Sequence, residues 1–524
     1  MMLLDKNKDI DKDEDDEDTN DGARFNSKSS MNRLGYQSIV ELIIGCCGDH
    51  NRAFGDGTTT IVVMIGAMCQ SAYNLIVERS IHPSVVARAF KHAMSSALTM
   101  LDTMAISIDA ANDVTLEDLG ECALNSKSIA YWKKPLTRLC IDAVQWLAAS
   151  RLARRGNNTK EQQTQVELLP FLRKQSVDHQ RWIGIVRVEG GQLSDTRLIR
   201  GVVLRRFLSS DAMPKVLNDV RVAVVSFPLE IPTPTTKHTL HLSSPEEMQS
   251  MLAYIQDYAA KVVSCLKALD VKLVVCQWGI DPSVNESLAK EGISALSWVS
   301  GEELERVALA CGATISSSLE RLVPTHIGHV TEMHEKIIGN DNARYTFLEG
   351  CDHIQSAIQT MLIRGGSEQM CRDAEECARD CLSVLANSLD NPKILVGGGV
   401  TELQLYTKLL KQQQHPSSNE LMHDMAMKGW ITSLLSIPTT LIENAGLDIG
   451  NNGLLWTLIK RYEEDDKCSL GANSSYGMSL EQQELIVDLS KQRVFELLDQ
   501  KKSILQLATE AACMIMQIDS FLIV

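Results

Sequence analysis

Residues 55–60 read Gly-Asp-Gly-Thr-Thr-Thr and lead directly into the apolar run 61–65. Two glycines allow a tight backbone turn, and the free N–H groups of a helix start, with the threonine hydroxyls, favour a bound anion. The carboxylate of Asp56 would repel phosphate unless a divalent cation lay between them. The hexapeptide therefore predicts a Mg-nucleotide phosphate loop, although it lacks the Gly-Lys-Ser/Thr of a Walker A loop. On residue chemistry alone, a plain helix start with Asp and Thr near its cap is the alternative.

Composition narrows the class of protein. The 524 residues carry a net charge of −16, which argues against nucleic acid or an anionic membrane as the main partner. The 14 cysteines include no CxxC pair, so we expect reduced, buried thiols in a cytoplasmic protein. The start of the chain turns acidic at once and lacks the pattern of a signal peptide. Polar residues interrupt the apolar stretch 61–77, which predicts a buried helix rather than a membrane span.

The hydrophobic pattern changes twice along the chain. Residues 36–155 show helical periodicity, and helices again dominate from residue 367, interrupted by a strand-like run at 394–399. Between them lie predicted strands rich in β-branched residues, at 182–188, 222–227 and 273–277, and a helix from about 245 to 268. This order, helical then α/β then helical, predicts one domain inserted into another, with both chain ends in one helical body. The acidic run 5–18 and the polar stretch 156–166 are predicted loops.

Several collinear motifs resemble the group II chaperonins. They are Thr19-Asn20-Asp21-Gly22-Ala23, Gly55 to Thr59, Asp195 to Gly201, Ile363-Arg364-Gly365-Gly366, Gly397-Gly398-Gly399-Val400-Thr401-Glu402, Ile437-Pro438 through Gly446, and Ala508-Thr509-Glu510-Ala511-Ala512. Two further stretches, Thr236-Lys237-His238 and Cys276 to Asp281, are similar to the epsilon type of subunit of the eukaryotic cytosolic chaperonin. Together these motifs span almost the whole chain in the family's order.

The resemblance implies an α/β multidomain subunit with three tiers. It would have a helical equatorial domain, a small intermediate hinge domain and an inserted α/β apical domain that carries a helical protrusion near 230–268. The expected segments are 1–128 (equatorial), 129–199 (intermediate), 200–360 (apical), 361–396 (intermediate) and 397–524 (equatorial). The implied activity is ATP-dependent protein folding inside a double ring, hetero-oligomeric in composition, around an unfolded protein, with ATP and Mg²⁺ as cofactors.

The resemblance also assigns roles to single residues. Asp56 would bind Mg²⁺, and Asp21 and Asp380 would position the attacking water as the catalytic pair. The nucleotide would contact the following residues: Asn20, Gly22, Gly55, Gly57, Thr58, Thr59, Thr60, Gly398, Gly399 and Glu496. Each position has a plainer alternative: a turn aspartate at 21, an exposed position on a charged helix at 380, and a strand-to-helix turn at the glycines. Leu497 replaces the proline that follows the family's glutamate at the position of Glu496.

The chain also departs from the family. The family's first helix and Gly-Pro phosphate loop precede the position of Met1 and have no counterpart here, and the acidic run 5–18 would lie beside phosphate. His50 and Asn51 replace a Gln-Asp pair before the phosphate loop. An incomplete sequence is one explanation, and a diverged scaffold protein without effective ATPase activity is another. A third possibility is an unrelated Mg-dependent phosphotransferase, which would need a cationic side chain near the phosphates, and no motif places one.

Overall fold

The computed structural model describes residues 37–107, 113–125, 127, 129–155, 182–231, 244–351, 358–413, 421–446, 453–465, 476–478, 486–489 and 492–518. The chain divides into two compact units. The first unit combines Met1–Ala105 with Leu395–Val524, and the second is Ile106–Ile394. The two ends of the chain therefore belong to one unit, and the middle forms the other. The finer division into five segments stays a prediction.

The described residues form fourteen α-helices and fourteen strands. The helices are α1 (Gln37–Phe54), α2 (Thr58–Tyr73), α3 (Pro83–Met104), α4 (Asp113–Leu124), α5 (Lys133–Arg155), α6 (Pro245–Ala268), α7 (Pro282–Lys290), α8 (Gly301–Cys311), α9 (Glu368–Asp390), α10 (Val400–Gln412), α11 (Leu421–Ser433), α12 (Ser436–Asn444), α13 (Gly453–Asp465) and α14 (Leu498–Ile515). The strands are β1 (Ile106–Ser107), β2 (Ile183–Glu189), β3 (Arg197–Ile199), β4 (Gly201–Leu204), β5 (Val216–Val225), β6 (Leu273–Cys276), β7 (Ser294–Leu296), β8 (Gly328–Ile337), β9 (Arg344–Glu349), β10 (Gln359–Gly365), β11 (Lys393–Val396), β12 (Tyr476–Met478), β13 (Ile486–Asp488) and β14 (Phe495–Leu497).

The first unit is a helical body. Helices α1, α2, α3, α11 and α14 share one apolar core, with Met64, Phe90 and Trp430 fully buried in it. A buried indole needs a hydrogen-bond acceptor, and Trp430 Nε1 donates to Thr509 Oγ1 at 3.0 Å. The core thus joins helices from both ends of the chain, which explains why one unit is built from two distant segments.

Helix α2 is the predicted apolar helix after the phosphate loop. One face is buried, but Tyr73 is 57% exposed and Val77, in the π-helical turn Asn74–Glu78 that follows, is 58% exposed. The predicted buried helix is therefore buried on one face only. Among the described residues, the span Thr58–Glu78 is the one helix long and apolar enough to cross a membrane, with a mean hydropathy of 1.6. That test alone is weak, because core helices of water-soluble proteins also pass it.

The second unit holds a six-stranded mixed sheet in the order β4-β9-β8-β5-β6-β7. Strands β5, β6 and β7 run parallel, with Val222 opposite Leu273 and Leu273 opposite Ser294. Helix α6 begins and ends at the predicted residues, and Ser244 caps its start by accepting from the Glu247 N–H at 3.2 Å. Only the second half of α6 contributes buried side chains, the last of which is Leu266.

A smaller sheet and three helices complete the second unit. Its order is β2-β10-β3, with β2 parallel to β10. Helices α4, α5 and α9 bury a shared apolar core against it. The strand predicted at 182–188 is β2, and the predicted strands at 222–227 and 273–277 correspond to β5 and β6. The short strands β12, β13 and β14 were missed by the prediction of a helical C-terminal part. The predicted loops 5–18 and 156–166 lie outside the described residues.

Candidate functional site

The phosphate-loop hexapeptide connects two helices of the first unit. Helix α1 ends at Phe54, helix α2 begins at Thr58, and Gly55, Asp56 and Gly57 form the turn between them. Gly57 is the N-cap residue of α2, and no side chain among the described residues caps its first turn. The first-turn N–H groups of Thr58, Thr59 and Thr60 thus lack a side-chain cap, which is the arrangement that favours an anion at a helix start.

Gly57 is required by its conformation and by its neighbours. Its φ of 94° is rarely adopted by residues that carry a Cβ. A Cβ there would lie 2.8 Å from Ile504 Cδ1 and 3.3 Å from His50 Nε2. The phosphate-loop backbone therefore passes directly over α14, which fixes where the loop lies in the unit.

The carboxylate of Asp56 is held by two donors. Oδ1 accepts from the backbone N–H of Gly57 at 2.8 Å, and Oδ2 accepts from Gln500 Nε2 at 3.3 Å. Each carboxylate oxygen can accept more than one hydrogen bond, so both retain capacity for a cation. The plain helix-cap role does not account for this arrangement, because at this described turn no capping side chain accepts from the N–H of the second or third helical residue.

The buried side chain of His50 contacts the loop. It is 1% exposed, and its Nε2 lies 2.9 Å from the Asp56 carbonyl oxygen while its Nδ1 lies 3.0 Å from Ser503 Oγ. Because a carbonyl only accepts, Nε2 carries the proton and Nδ1 accepts from the serine hydroxyl. Burial lowers the pKa of His50, although the Asp56 carbonyl opposes the shift. His50, which replaces the family's glutamine at this position, thus still donates a hydrogen bond to the loop.

The triple glycine forms a second helix start of the same kind. It joins β11 to α10, and Gly399, with a φ of 82°, is the N-cap residue of α10. A Cβ on Gly399 would lie 3.2 Å from Pro438 Cβ, so the turn has no room for a side chain. A Cβ on Gly397 would lie 3.0 Å from Glu496 Oε1. The glutamate proposed for the nucleotide therefore lies against the glycine turn.

A buried ion-pair cluster lies beside both turns. Lys501 Nζ is 2.6 Å from Glu402 Oε1 and also contacts Glu496 Oε2. The side chains of Lys501 and Glu402 are 3% and 2% exposed, and that of Glu496 is 25% exposed. Burial alone would lower the pKa of Lys501, but the two carboxylates outweigh it and raise that pKa above its ordinary range. Burial, reinforced by Glu402, raises the pKa of Glu496, and the charge of Asp56 adds to the shift.

Sequence reasoning missed Lys501, Glu402 and Gln500 as members of this site. Glu402 ends the Gly-Gly-Gly motif, and Lys501 follows Glu496 by five residues. Glu402 carries no local signal for an ion pair, since it lies 99 residues from Lys501 in the chain. A lysine within five residues of Glu496 was the available hint, but only the fold shows that its amine points at two carboxylates.

Asp380 lies in the second unit, on α9. It is 3% exposed, and its Oδ2 pairs with Lys127 Nζ at 2.9 Å. An exposed position on a charged helix, the plainer alternative, is therefore wrong for this residue. A buried carboxylate requires such a partner, and α9 places it on a rigid element. Asp21, Asn20 and Gly22 lie outside the described residues.

The residues of the first unit fit a Mg-nucleotide. The ammonium of Lys501 pairs with the carboxylates of Glu402 and Glu496, and the charge of Asp56 acts on Glu496. Three carboxylates thus lie near one ammonium in this described part of the chain, and a divalent cation would offset the excess negative charge. Oε2 of Glu402 is buried and has no hydrogen-bond partner among the described residues. Mg²⁺ is commonly held by one or two carboxylates together with phosphate oxygens and waters. Within the described ranges no group of three or more His, Cys, Asp or Glu residues could form an all-protein metal site.

Comparison with known proteins gives a consistent result. The TCP-1/cpn60 chaperonin family matches residues 19–523. Thermosome subunit alpha of Archaeoglobus fulgidus is 28% identical over 501 residues, 96% of this chain and 84% of the relative. Thermosome subunit beta of Desulfurococcus mucosus is 28% identical over 499 residues, 95% and 91% of the two chains. Thermosome subunit beta of Aeropyrum pernix is 29% identical over 508 residues, 96% and 84% of the two chains.

A solved structure shows the same fold. The open-state monomer of a group II chaperonin from Methanococcoides burtonii matches 88% of this chain and 100% of its own, with a TM-score of 0.59 and 24% identity. The predicted group II chaperonin fold, an α/β multidomain subunit, is therefore confirmed, and an unrelated phosphotransferase is excluded. The chain belongs to the TCP-1/cpn60 chaperonin family.

Proposed function

We propose that this chain is a subunit of an ATP-dependent chaperonin ring in the cytoplasm, in which ATP hydrolysis drives closure around an unfolded protein. Helices α2 and α10 both begin at a glycine, and neither has a side-chain cap among the described residues. Both helix starts lie beside the buried ion-pair cluster around Lys501, and this arrangement is the observation that carries the proposal. Each helix start supplies N–H groups suited to phosphate. The family membership supports oligomeric chaperonin partners, and a hetero-oligomeric double ring is part of the proposal.

In the proposed site, Mg²⁺ neutralises phosphate charge when bound. Asp56 would hold the metal, and Gly55, Gly57, Thr58, Thr59 and Thr60 would contact the phosphates. Gly398, Gly399 and Glu496 would lie at the ribose or base, and Asn20 and Gly22 would join them from the segment outside the described residues.

Asp21 and Asp380 would position the attacking water. The ion pair of Asp380 with Lys127 orients its carboxylate, as that task requires. The finer resemblance to an epsilon-type subunit also stays a proposal. It rests on residues 236–238, which lie outside the described residues, and on 276–281.

A second function remains a competing proposal: a diverged chaperonin-like scaffold without effective ATPase activity. The observation that favours it is the excess of carboxylates over ammonium groups near Asp56, which would disfavour phosphate wherever Mg²⁺ is not bound. The acidic run 5–18, which lies outside the described residues, would add to the same effect if it lies beside the phosphate as the resemblance implies.

Mg-ATP binding and hydrolysis by the purified chain decide between the two proposals. Hydrolysis that Asp380→Ala lowers by at least about 100-fold, with ATP affinity retained, would support the chaperonin ATPase. Glu368→Gln, on the exposed first turn of the same helix, is the matched control and should leave the rate unchanged. Folded protein that binds no Mg-ATP would favour the scaffold.

A further inference from the structure

Two exposed tryptophans form a corner at one edge of the six-stranded sheet. Trp278 follows β6 by two residues, and Trp298 follows β7 by two residues. Their ring centroids are 6.4 Å apart with the planes at 70°, and the residues are 48% and 56% exposed. Burial of a large aromatic side chain contributes much favourable free energy. It is therefore unusual that two of the chain's seven tryptophans lie together and remain about half exposed to solvent.

The loops that carry this corner are joined by backbone hydrogen bonds. Trp298 N–H donates to the Trp278 carbonyl at 3.2 Å, and Leu229 N–H donates to the Gly279 carbonyl at 3.1 Å. The three loops that follow β5, β6 and β7 are thus connected to one another. The corner is held in place before any partner arrives, which reduces the ordering that binding would require.

The backbone of Trp298 is strained. Its φ is 59°, in the left-handed region that bulky residues rarely adopt. Such conformations persist where the surrounding structure holds them, and they are concentrated at binding sites and active sites. Here the strained backbone of Trp298 places its ring against the ring of Trp278.

A carboxylate completes the corner. A Cβ on Gly279 would lie 2.0 Å from Glu230 Oε1 and 3.1 Å from Trp298 Cζ2, so the carboxylate and the indole ring meet over this glycine. Only the missing side chain of Gly279 leaves room for that approach. Glu230 is exposed. We name Trp278, Trp298 and Glu230 together the aromatic corner.

The chemistry of the aromatic corner selects a cation. Aromatic faces attract an ammonium or guanidinium group through the ring quadrupole, and the adjacent carboxylate adds a direct charge attraction. The corner also lies at the carboxyl ends of parallel strands, where open α/β sheets bind their ligands. The net charge of −16 favours the approach of a cation from a distance.

We propose that the aromatic corner binds a lysine or arginine side chain of a polypeptide. The proposal rests on the proposed chaperonin function in one respect, the source of the polypeptide. That polypeptide would be a protein under folding or a partner of the ring. It adds a chemical preference to that function: a cationic side chain in an accessible chain segment, rather than apolar surface alone.

Peptide binding to the full chain, without nucleotide, tests this. The probes are three amidated pentapeptides, Gly-Gly-Xaa-Gly-Gly, with Arg, norleucine or Glu at the centre and fluorescein at the N-terminus, followed by fluorescence anisotropy. We expect the Arg peptide to bind about fivefold more tightly than the norleucine peptide and the Glu peptide to bind most weakly. Glu230→Gln and Trp298→Gly should each remove most of that preference, while Phe207→Ala, an equally exposed aromatic in the same unit, should leave it intact.

Trp298→Gly removes the ring without adding strain, because glycine accepts a φ of 59°. Equal binding of the Arg and norleucine peptides, an unchanged preference in Glu230→Gln, or no binding to folded wild-type protein would each overturn the proposal. ATP binding measured on the same samples separates the two ideas. Wild-type protein that binds ATP but shows no preference for the Arg peptide rejects the corner alone, and wild-type protein that shows the preference but binds no ATP rejects the ATPase alone.

Discussion

Lys501 and Glu402 form an ion pair that is almost completely removed from solvent, with Nζ 2.6 Å from Oε1 and side chains 3% and 2% exposed. The pair joins α14 to α10, and through Glu496 it reaches the glycine turn as well. The adjacent Gln500 bonds Asp56. One helix therefore contacts both parts of the proposed nucleotide site, and a change at Lys501 should affect the two together.

Lys501→Met should destabilise the first unit strongly. Removing the ammonium leaves Glu402 and Glu496 without their counter-charge, and breaking a buried pair on one side costs about 3–5 kcal/mol. The free energy of unfolding from urea denaturation measures this. Lys502→Met is the matched control, since Lys502 pairs with the half-exposed Asp102 and should lose only about 0–1 kcal/mol. Equal losses in the free energy of unfolding of the two variants would contradict the role of Lys501 as the buried counter-charge of Glu402 and Glu496.

Gly57→Ala should weaken Mg-ATP binding. The new Cβ would meet Ile504 Cδ1 at 2.8 Å in a conformation with φ of 94°, so the turn before α2 must shift. A shift of this kind is expected to cost about 1–3 kcal/mol, or roughly 5- to 140-fold in affinity, measured by titration calorimetry. Gly45→Ala within α1, where a Cβ meets nothing within 4 Å, should leave affinity unchanged and stabilise the helix by up to about 1 kcal/mol.

Asp56→Asn should change the metal dependence of nucleotide binding. The amide keeps the shape of the side chain but removes the negative charge that would hold Mg²⁺. We expect the Mg²⁺ concentration needed for half-maximal ATP binding to rise by about 10-fold or more, equivalent to about 1.4 kcal/mol. Asp49→Asn, at an exposed position paired with Arg52, should leave the titration unchanged. An unaltered Mg²⁺ dependence in Asp56→Asn would reject Asp56 as the metal ligand.

The second unit should lose stability in mild acid because of His334. Burial lowers the pKa of this histidine, and Lys336 adds to the shift. The unfolded chain therefore takes up a proton at higher pH than the folded unit does, so stability is full above about pH 6.5 and falls as the pH drops below it. The ring is 5% exposed and stacks on Phe347 with centroids 4.8 Å apart, which leaves a charged form poorly solvated.

His334→Leu should remove part of that acid-induced loss. The melting temperatures of variant and wild type, compared at pH 5 and pH 7.5, give the measurement. His329→Leu on the same strand is the control, because that side chain is half exposed and pairs with Asp219. A wild-type loss between the two pH values that His334→Leu leaves undiminished would show that another group causes it.

Much of the architecture followed from local patterns. The repeat of apolar residues predicted the helices of the first unit, and β-branched runs predicted β2, β5 and β6. The helical pattern at about 245 to 268 predicted α6 with its observed bounds. The sequence did not predict the short strands β12 to β14, because three-residue strands carry too few residues to show an alternating pattern.

The sequence by itself determined the family, the order of helical and α/β segments, and the glycine turn that carries Asp56, because each of these depends on neighbouring residues. Only the tertiary structure decided that Lys501 pairs with Glu402 and Glu496, that Asp380 is buried against Lys127, and that Trp278 meets Trp298. These contacts join residues far apart in the chain, and no periodic pattern encodes them. A buried charge or a strained backbone is stable only when distant parts of the fold supply its partner, so its role becomes visible once the chain has folded.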